Sequence, residues 1–132
     1  MNNLKIPHIV GQQAQDFAKE WFKAQDSNCA VYDLETEKYL IEVKSCNLFN
    51  RNKGSYSKNS SRKFQLGRFY IKTDNHLLFW FKGLELNKSP VYCFILRIGN
   101  HQIIKTMKWE EVLVYNQNYN HFSIFEVFAD VV

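Results

Sequence analysis

Residues 30–46, AVYDLETEKYLIEVKSC, decide the fold that the sequence predicts. Two runs rich in β-branched, aromatic and aliphatic residues, 30–34 and 39–46, flank the short polar segment 35–38. This pattern is typical of two strands joined by a hairpin loop. The chain is therefore predicted to contain an antiparallel hairpin near its N-terminal third.

The hairpin brings three ionisable side chains together. Because alternate side chains of a strand share a face, Glu42 and Lys44 are expected to point the same way. A four-residue loop pairs Asp33 with Leu40, which makes Glu42 a diagonal neighbour of Asp33 with Cβ atoms roughly 7–8 Å apart. A two-residue loop would place the two acids directly opposite each other, and only an odd loop would separate their faces.

Two carboxylates and an ammonium beside apolar strands need a compensating interaction, because burying an unpaired charge costs several kcal/mol in rough terms. A structural ion pair of Lys44 with either acid would supply one. A hard divalent cation would supply another, because carboxylate oxygens suit Mg²⁺ and Mn²⁺. The spacing alone leaves both interpretations open.

The residues Tyr32-Asp33, an eight-residue gap and Glu42-Val43-Lys44 resemble the signature of the PD-(D/E)xK nucleases. That superfamily includes archaeal Holliday junction resolvases and many restriction enzymes. Tyr32 stands where the signature has proline. The resemblance covers roughly residues 8–115, with specific matches only at Asp33, Glu42 and Lys44.

The resemblance implies a site residue by residue. Asp33 and Glu42 would bind Mg²⁺ or Mn²⁺, with the Val43 backbone carbonyl as a further ligand. Lys44 would orient the attacking water and stabilise the negative charge of the transition state. Many members also carry a glutamate on the first helix, and the matching position here holds Gln15, an additional candidate ligand without the charge.

Positive charge is concentrated in one segment. Residues 44–72 contain eight basic residues and no acidic one, so the remaining nine basic and 13 acidic residues leave the rest of the chain at −4. Such a concentration favours a polyanionic partner, of which nucleic acid is the commonest, and the nuclease resemblance implies that this partner is DNA. The alternative is a solvated basic loop. The candidate phosphate contacts are Arg51, Lys53, Lys58, Arg62, Lys63 and Arg68.

A helix is predicted before the hairpin, at residues 9–25. Its apolar residues recur at helical spacing and are expected to form a buried stripe, with Asp16 and Glu20 on the opposite, solvated side. The stripe consists of Ala14, Phe17, Ala18, Trp21 and Phe22.

Beyond the hairpin, the apolar run 91–96 predicts a strand that is buried on both faces, and 103–107 predicts another. The remaining segments are predicted as a basic loop (47–61), a helical turn (62–67), a strand (68–71), a brief helix or turn capped by Thr73 or Asp74 before the apolar run 77–81, a short helix (108–113) and a closing strand or helix (124–132). Together these elements predict an α/β fold with a central mixed sheet of four to five strands flanked by helices, which is restriction-endonuclease-like.

The whole chain, 132 residues with 45% hydrophobic residues, fits one domain spanning residues 1–132. Three widely spaced cysteines predict no disulfide framework, and the four scattered histidines are expected at surface or loop positions. With neither a signal peptide nor a membrane span in the sequence, a cytoplasmic protein is expected.

The function that the sequence and its resemblance favour is Mg²⁺-dependent endonucleolytic cleavage of DNA, on branched DNA or on specific duplex sites. One site cuts one strand, so a homodimer is expected, with the aromatic C-terminal segment as a candidate interface. The first alternative is a non-catalytic nucleic-acid-binding module of the same fold, in which Lys44 pairs with Glu42. A purely structural protein-interaction domain is the second. Metal-dependent strand scission separates the enzyme from the binding module.

Overall fold

A five-stranded mixed sheet forms the centre of the protein. The computed structural model of the chain describes residues 7–51 and 64–129. In chain order the elements are α1 (Pro7–Phe22), β1 (Gln25–Asp26), β2 (Leu34–Glu35), β3 (Tyr39–Asn47), β4 (Phe49–Arg51), β5 (Phe64–Leu66), β6 (Arg68–Lys72), α2 (Thr73–Leu86), β7 (Ser89–Ile98), β8 (His101–Lys108), a 3-10 turn (Trp109–Glu111), β9 (Tyr119–Ser123) and α3 (Ile124–Phe128). The strands of the central sheet follow the order β1-β2-β3-β7-β8. The α/β class and the mixed sheet that the sequence predicted are confirmed.

The predicted hairpin is present, but its loop is shorter than expected. Leu34 pairs with Ile41 and Glu35 with Leu40, and the Thr36 amide donates to the Tyr39 carbonyl at 2.9 Å. The prediction of a four-residue loop that pairs Asp33 with Leu40 is therefore wrong. The Thr36 hydroxyl oxygen accepts hydrogen bonds from the amides of residues 38 and 39. These bonds close a loop that is two residues shorter than the predicted one.

Strand β3 lies beside β7 in parallel, with the two strands in register from Tyr39 opposite Ser89 to Asn47 opposite Arg97. The connection between them passes through α2. Residues 91–96 of β7 are all buried, as the unbroken apolar run predicted. Strand β8 then pairs with β7 in antiparallel fashion, which confirms the strand predicted at 103–107.

Helix α1 covers one face of the sheet. Its alanines, Ala14 and Ala18, are fully buried in a cluster with Ile41 and Ile95. The helix ends at Phe22 rather than at residue 25, and the expectation of a buried Trp21 is wrong, because its side chain is 60% exposed. The buried contact is made by the two small residues, and the Trp21 ring packs on Phe17 instead, 6.3 Å between centroids.

The other face of the sheet is covered by α2, α3 and the two-stranded ribbon β6–β9. Aromatic side chains dominate this layer: the Phe69 ring meets the Phe94 ring edge to face at 5.0 Å, and Phe79 meets Tyr92 in the same way at 5.3 Å. Such pairs are favourable beyond the area that they bury. The larger of the two cores therefore lies on the α2 side of the sheet.

Several local predictions are corrected. Residues 64–66 form a strand rather than a helical turn, because β5 pairs with β4. The apolar run 77–81 lies inside α2, whose N-cap is Lys72; the Thr73 hydroxyl instead bonds to the Gln117 carbonyl. Only residues 109–111 of the helix predicted at 108–113 are helical, as one 3-10 turn.

The C-terminal part is a helix, α3, which begins at Ser123 through a reciprocal cap. The Ser123 hydroxyl accepts from the Glu126 amide at 3.1 Å, and the Glu126 carboxylate accepts from the Ser123 amide at 2.7 Å. Cys93 is buried, Cys29 and Cys46 are partly buried, and all three are free. Within residues 7–51 and 64–129, no helix has the length and apolar character needed to cross a bilayer.

Candidate active site

Asp33 is fixed at the point where β2 begins. Its amide donates to the Ile41 carbonyl at 3.0 Å, directly before Leu34, which is the register partner of Ile41. Its carboxylate accepts a hydrogen bond from the Val43 amide at 2.8 Å. The Asp33 side chain thus takes the place of a backbone acceptor beside β3.

The direction of the Val43 carbonyl follows from the same hydrogen bond. In a strand, the N–H and C=O of one residue point to the same edge. Because the Val43 amide donates to Asp33, the Val43 carbonyl also points toward that side, beyond the last paired residue of β2, Leu34. A backbone oxygen therefore lies on the Asp33 side of β3.

Glu42 and Lys44 alternate with Val43 along β3, so their side chains share the sheet face opposite to that of Val43, as the two-residue period predicted. The Lys44 Nζ and Glu42 Oε2 atoms are 3.5 Å apart, and their side chains are 25% and 16% exposed. In the sheet they lie beside Tyr92 and Phe94 of β7. The pair therefore lies in a mostly apolar layer and is only partly accessible to solvent.

The electrostatics of Glu42 are dominated by its surroundings. Burial raises the pKa of Glu42, and hydrogen bonding and charge repulsion from Asp33 raise it further, while Lys44 lowers it; the result is a pKa of about 9. Two carboxyl groups in contact resist double ionisation, so one of them holds a proton at neutral pH. The structure thus brings Asp33, Glu42 and Lys44 together, as expected from the sequence.

A buried histidine lies behind this group. His76 of α2 is hydrogen-bonded through Nδ1 to the Tyr92 hydroxyl at 2.6 Å, and its ring stacks on Trp109 at 4.2 Å. Burial lowers the pKa of His76 to about 4, and burial together with the Glu42 charge raises that of Tyr92. A surface or loop position for His76 is therefore wrong. Its spacing to Phe79 and Gly83, the other inward residues of α2, is the sequence signal that marks an interior position.

Gln15 occupies a different side of the sheet. Its amide donates to Asp26 of β1 at 3.5 Å, and Lys19 of the same helix makes an ion pair with Asp26 at 2.8 Å. Helix α1 packs on the sheet face opposite to Glu42, so a Gln15 ligand would have to reach around the end of β2. The assignment of Gln15 as a metal ligand stays a prediction.

The candidate DNA contacts are described only in part. Arg68 is exposed on β6, and Arg51 ends β4. The predicted contacts at Lys53, Lys58, Arg62 and Lys63 lie outside the described residues.

The donors available for a cation here are oxygens. In the part of the chain that the structure describes, no three or more His, Cys, Asp or Glu side chains are grouped to hold a metal ion. A cation at this place would therefore rely on the Asp33 and Glu42 carboxylates, the Val43 carbonyl and water, which is the donor chemistry that Mg²⁺ accepts. The chain matches no protein-family model and has no significant match to a curated protein or to a solved structure.

Proposed function

We propose that this chain is a Mg²⁺-dependent endonuclease that hydrolyses DNA phosphodiester bonds at Asp33, Glu42 and Lys44. One observation carries the proposal: two carboxyl groups in contact, one of them largely buried, lie beside a lysine on the α2 face of the sheet. A purely structural arrangement would be better served by one acid, because the second acid raises the pKa of the first. Ionisable groups with pKa values shifted in this way cluster at functional sites.

The order of the elements supports a restriction-endonuclease-like fold of the PD-(D/E)xK type. A helix precedes the hairpin that carries the acids, the basic segment follows it, and the apolar strand β7 then pairs with the acid-bearing strand β3. This order is the one that the resemblance of the sequence implies.

The oxygen donors fit a hard divalent cation. Asp33, Glu42 and the Val43 carbonyl would hold Mg²⁺ or Mn²⁺, and loss of the proton shared by the carboxyl pair would accompany binding. When bound, the cation supplies Lewis-acid polarisation of the phosphate and an activated water. The apolar surroundings of β3 keep bulk water from competing with these groups.

Lys44 lies where it can position a phosphate and stabilise negative charge on it. Its ammonium lies 3.5 Å from Glu42 Oε2, and its side chain is 25% exposed, so a phosphate can approach it from solvent. A fixed positive charge there stabilises the negative charge that develops on a phosphorus centre under attack. The basic segment 44–72 would hold the rest of the DNA backbone.

The test is a nicking assay on supercoiled plasmid and on a panel of linear and branched DNAs, with Mg²⁺ or Mn²⁺. Asp33→Asn, Glu42→Gln and Lys44→Ala should each lower the cleavage rate by about 100-fold or more. Asn at position 33 keeps an acceptor for the Val43 amide, so the hairpin should stay folded. The control is Glu37→Gln, an exposed acid in the hairpin loop. Undiminished cleavage by any of the three variants would remove that residue from the site.

A second candidate, a nucleic-acid-binding module without catalysis, is favoured by the 3.5 Å contact between Lys44 Nζ and Glu42 Oε2, which gives both side chains a partner without a metal. A module of this kind binds DNA with an affinity that falls with salt and cuts none of the panel in either metal.

A further inference from the structure

Strands β6 and β9 form a two-stranded ribbon whose two faces differ in character. The inward face is apolar at Phe69 and Ile71, both 1% exposed, and the Phe69 ring packs on Phe94, which lies beside Lys44 of β3. The outward face holds aromatic and basic residues instead. It is called the ribbon face below and consists of Arg68, Tyr70, Lys72, Tyr119, His121 and Ser123.

The register of the ribbon places these side chains in three cross-strand rows. The rows pair Arg68 with Ser123, Tyr70 with His121, and Lys72 with Tyr119. Because both strands alternate with the same period, all six side chains point away from the core. Successive rows are roughly 6.6–6.8 Å apart. Every row therefore carries an aromatic or a basic side chain.

Both tyrosines of the ribbon face keep about half of their surface accessible. Tyr70 is 49% exposed and Tyr119 is 51% exposed. The Tyr70 ring meets the His121 ring at 4.7 Å between centroids and at 62°, so His121 supports this tyrosine from the neighbouring strand. An accessible aromatic ring offers a flat surface on which a nucleobase can stack, and any base can do so because every base has a π-face.

The charge of the ribbon face suits a polyanion. Arg68 and Lys72 are exposed, and the six residues include no acid. Lys72 Nζ lies over the Tyr119 ring, 5.5 Å from its centroid, which keeps the ammonium beside a stacking surface. At the other end, the Glu126 carboxylate is already bonded to the Ser123 amide at 2.7 Å. Aromatic rings combined with cations are the means by which proteins bind single-stranded nucleic acid.

Hydrogen bonds hold the ribbon firmly at its Tyr119 end. The side chain of Asn120, which is 1% exposed, donates to the Thr73 hydroxyl at 3.0 Å and accepts from the Tyr115 amide at 2.7 Å. The Thr73 amide in turn donates to the Asn118 carbonyl at 3.1 Å. A surface that is rigid beforehand loses little conformational freedom on binding, which favours affinity.

We propose that the ribbon face binds single-stranded DNA, with bases stacked on Tyr70 and Tyr119 and phosphates on Arg68 and Lys72. The choice of DNA as the polymer rests on the proposed function, and the inference narrows the substrate to DNA that has unpaired nucleotides. Paired bases cannot use this surface, because stacking on a side chain requires a base that has left its own stack. Arg68 remains the phosphate contact that the sequence predicted, and the two tyrosines are new partners.

Binding of a labelled oligo(dT) of about 12 nucleotides to the full chain, measured by fluorescence anisotropy in EDTA, tests the proposal apart from cleavage. Tyr70→Ala and Tyr119→Ala should each weaken binding about tenfold, because each removes a stacking surface. Tyr70→Phe and Tyr119→Phe keep the ring and should bind like the parent. The matched control is Trp21→Ala, an aromatic side chain that is 60% exposed on α1, on the opposite side of the sheet, and it should leave binding unchanged.

Two further DNAs separate stacking from attraction to phosphate. An abasic oligonucleotide of the same length keeps the phosphates and lacks the bases, whereas a blunt duplex keeps its bases paired. Neither alanine variant of the tyrosines should change binding to these two DNAs by more than about twofold. Arg68→Ala, in contrast, should weaken binding to all three DNAs, since it removes a phosphate contact.

A parent that binds oligo(dT) no better than the abasic strand would overturn the proposal. Full retention of oligo(dT) binding by both alanine variants would also overturn it, as would an equal loss of binding to oligo(dT) and to the abasic strand. Both tyrosines are half-exposed, so circular dichroism and thermal melting should show folded variants.

The ribbon face and the nuclease site fail separately in these experiments. If the chain nicks none of the DNA panel but shows the expected oligo(dT) pattern, the nuclease assignment is lost and the ribbon face stands as a single-strand-binding surface. If the chain nicks DNA but its oligo(dT) binding does not depend on Tyr70 and Tyr119, only the ribbon face is lost.

Discussion

At the scale of single residues, the Glu42 carboxyl is the group whose state sets the behaviour of the site. Its burial and its contact with Asp33 hold a proton on it at neutral pH, and Lys44 opposes this only in part. A divalent cation would replace that proton, so metal binding and proton release are coupled. Keeping the two acids together costs free energy in the folded protein, so its free energy of unfolding should depend on pH.

The metal-free protein should lose stability as pH rises. Glu42 has a folded pKa of about 9 against an ordinary value of 4.5, so the folded state holds a proton that the unfolded chain releases between these values. The contribution of Glu42 is therefore fully present below about pH 4.5, declines by up to about 1.4 kcal/mol per pH unit between about pH 4.5 and 9, and is constant above that range. Urea unfolding of the parent and of Glu42→Gln between pH 5 and 9 measures the effect.

The Gln variant should become more stable than the parent as pH rises, and Glu37→Gln should follow the parent. A difference between parent and Glu42→Gln that is constant from pH 5 to 9 would show that Glu42 ionises normally.

The acids and the lysine could be predicted from the sequence because a strand repeats every two residues, and all three lie within one hairpin. The partnership of Tyr92 with His76 could not. It depends on β7 lying in register beside β3, with Glu42 opposite Tyr92, and on α2 turning His76 inward. Both depend on contacts between segments that are 16 to 50 residues apart, which local periodicity does not encode.

At the scale of elements, α2 packs against β7 and covers the larger core. Gly83 faces the start of β7 so closely that a Cβ atom there would come within 2.8 Å of both the Lys88 carbonyl oxygen and the Pro90 Cδ atom. The Lys88 amide donates to the Gly83 carbonyl at 3.0 Å, which fixes the helix end on the strand. The position therefore accepts only glycine without a shift of the helix.

Gly83→Ala should destabilise the protein by about 1–3 kcal/mol, because the added methyl group meets backbone rather than a flexible side chain. Chemical denaturation monitored by tryptophan fluorescence measures the change. The control is Asn75→Ala, an exposed position on the same helix, which should alter stability by no more than about 0.5 kcal/mol. Unchanged stability of Gly83→Ala would show that helix and strand are further apart than described.

The long apolar or β-branched elements, β3, β7 and β8, could be predicted because their pattern is strong on its own. The short partners could not: β9, with the sequence YNHFS, is held as a strand by β6 and has no strand pattern of its own. The apolar run 77–81 was ambiguous because it is apolar on both sides, and its helical state follows from the inward contacts of α2.

At the scale of the whole molecule, the distribution of charge sets how the protein meets a polyanion. The segment 44–72 has eight positive residues and no acid, while the remainder carries −4. Screening over roughly 8–10 Å prevents the remainder from cancelling this field at the surface of the segment. The α/β class could be predicted from the sequence, whereas the parallel pairing of β3 with β7 could not, because it depends on how α2 crosses the sheet.

Replacing Arg51, Lys53 and Lys58 together by Ala should weaken binding to all DNA sequences about equally, because these charges act on phosphate. The dependence of log K on log salt should become shallower by about 0.9 for each lost phosphate contact on duplex DNA. Fluorescence anisotropy across a salt titration measures both effects, and the variant keeps Lys44 in place.

The matched control removes three positive charges outside the segment, at Lys19, Lys38 and Lys108. It should change the salt dependence much less than the first triple variant. Equal affinity of parent and first variant at every salt concentration would identify the segment as a solvated surface.

The proposed nuclease site requires that Asp33, Glu42 and the Val43 carbonyl hold a divalent cation. Crystals of the parent soaked in Mn²⁺ and measured at the manganese absorption edge test it directly. The expected result is one anomalous peak at about 2.0–2.3 Å from oxygens of all three residues, and its loss in Glu42→Gln. Fully soaked crystals with no peak between Asp33 and Glu42, and with Glu42 still paired to Lys44, would contradict the account.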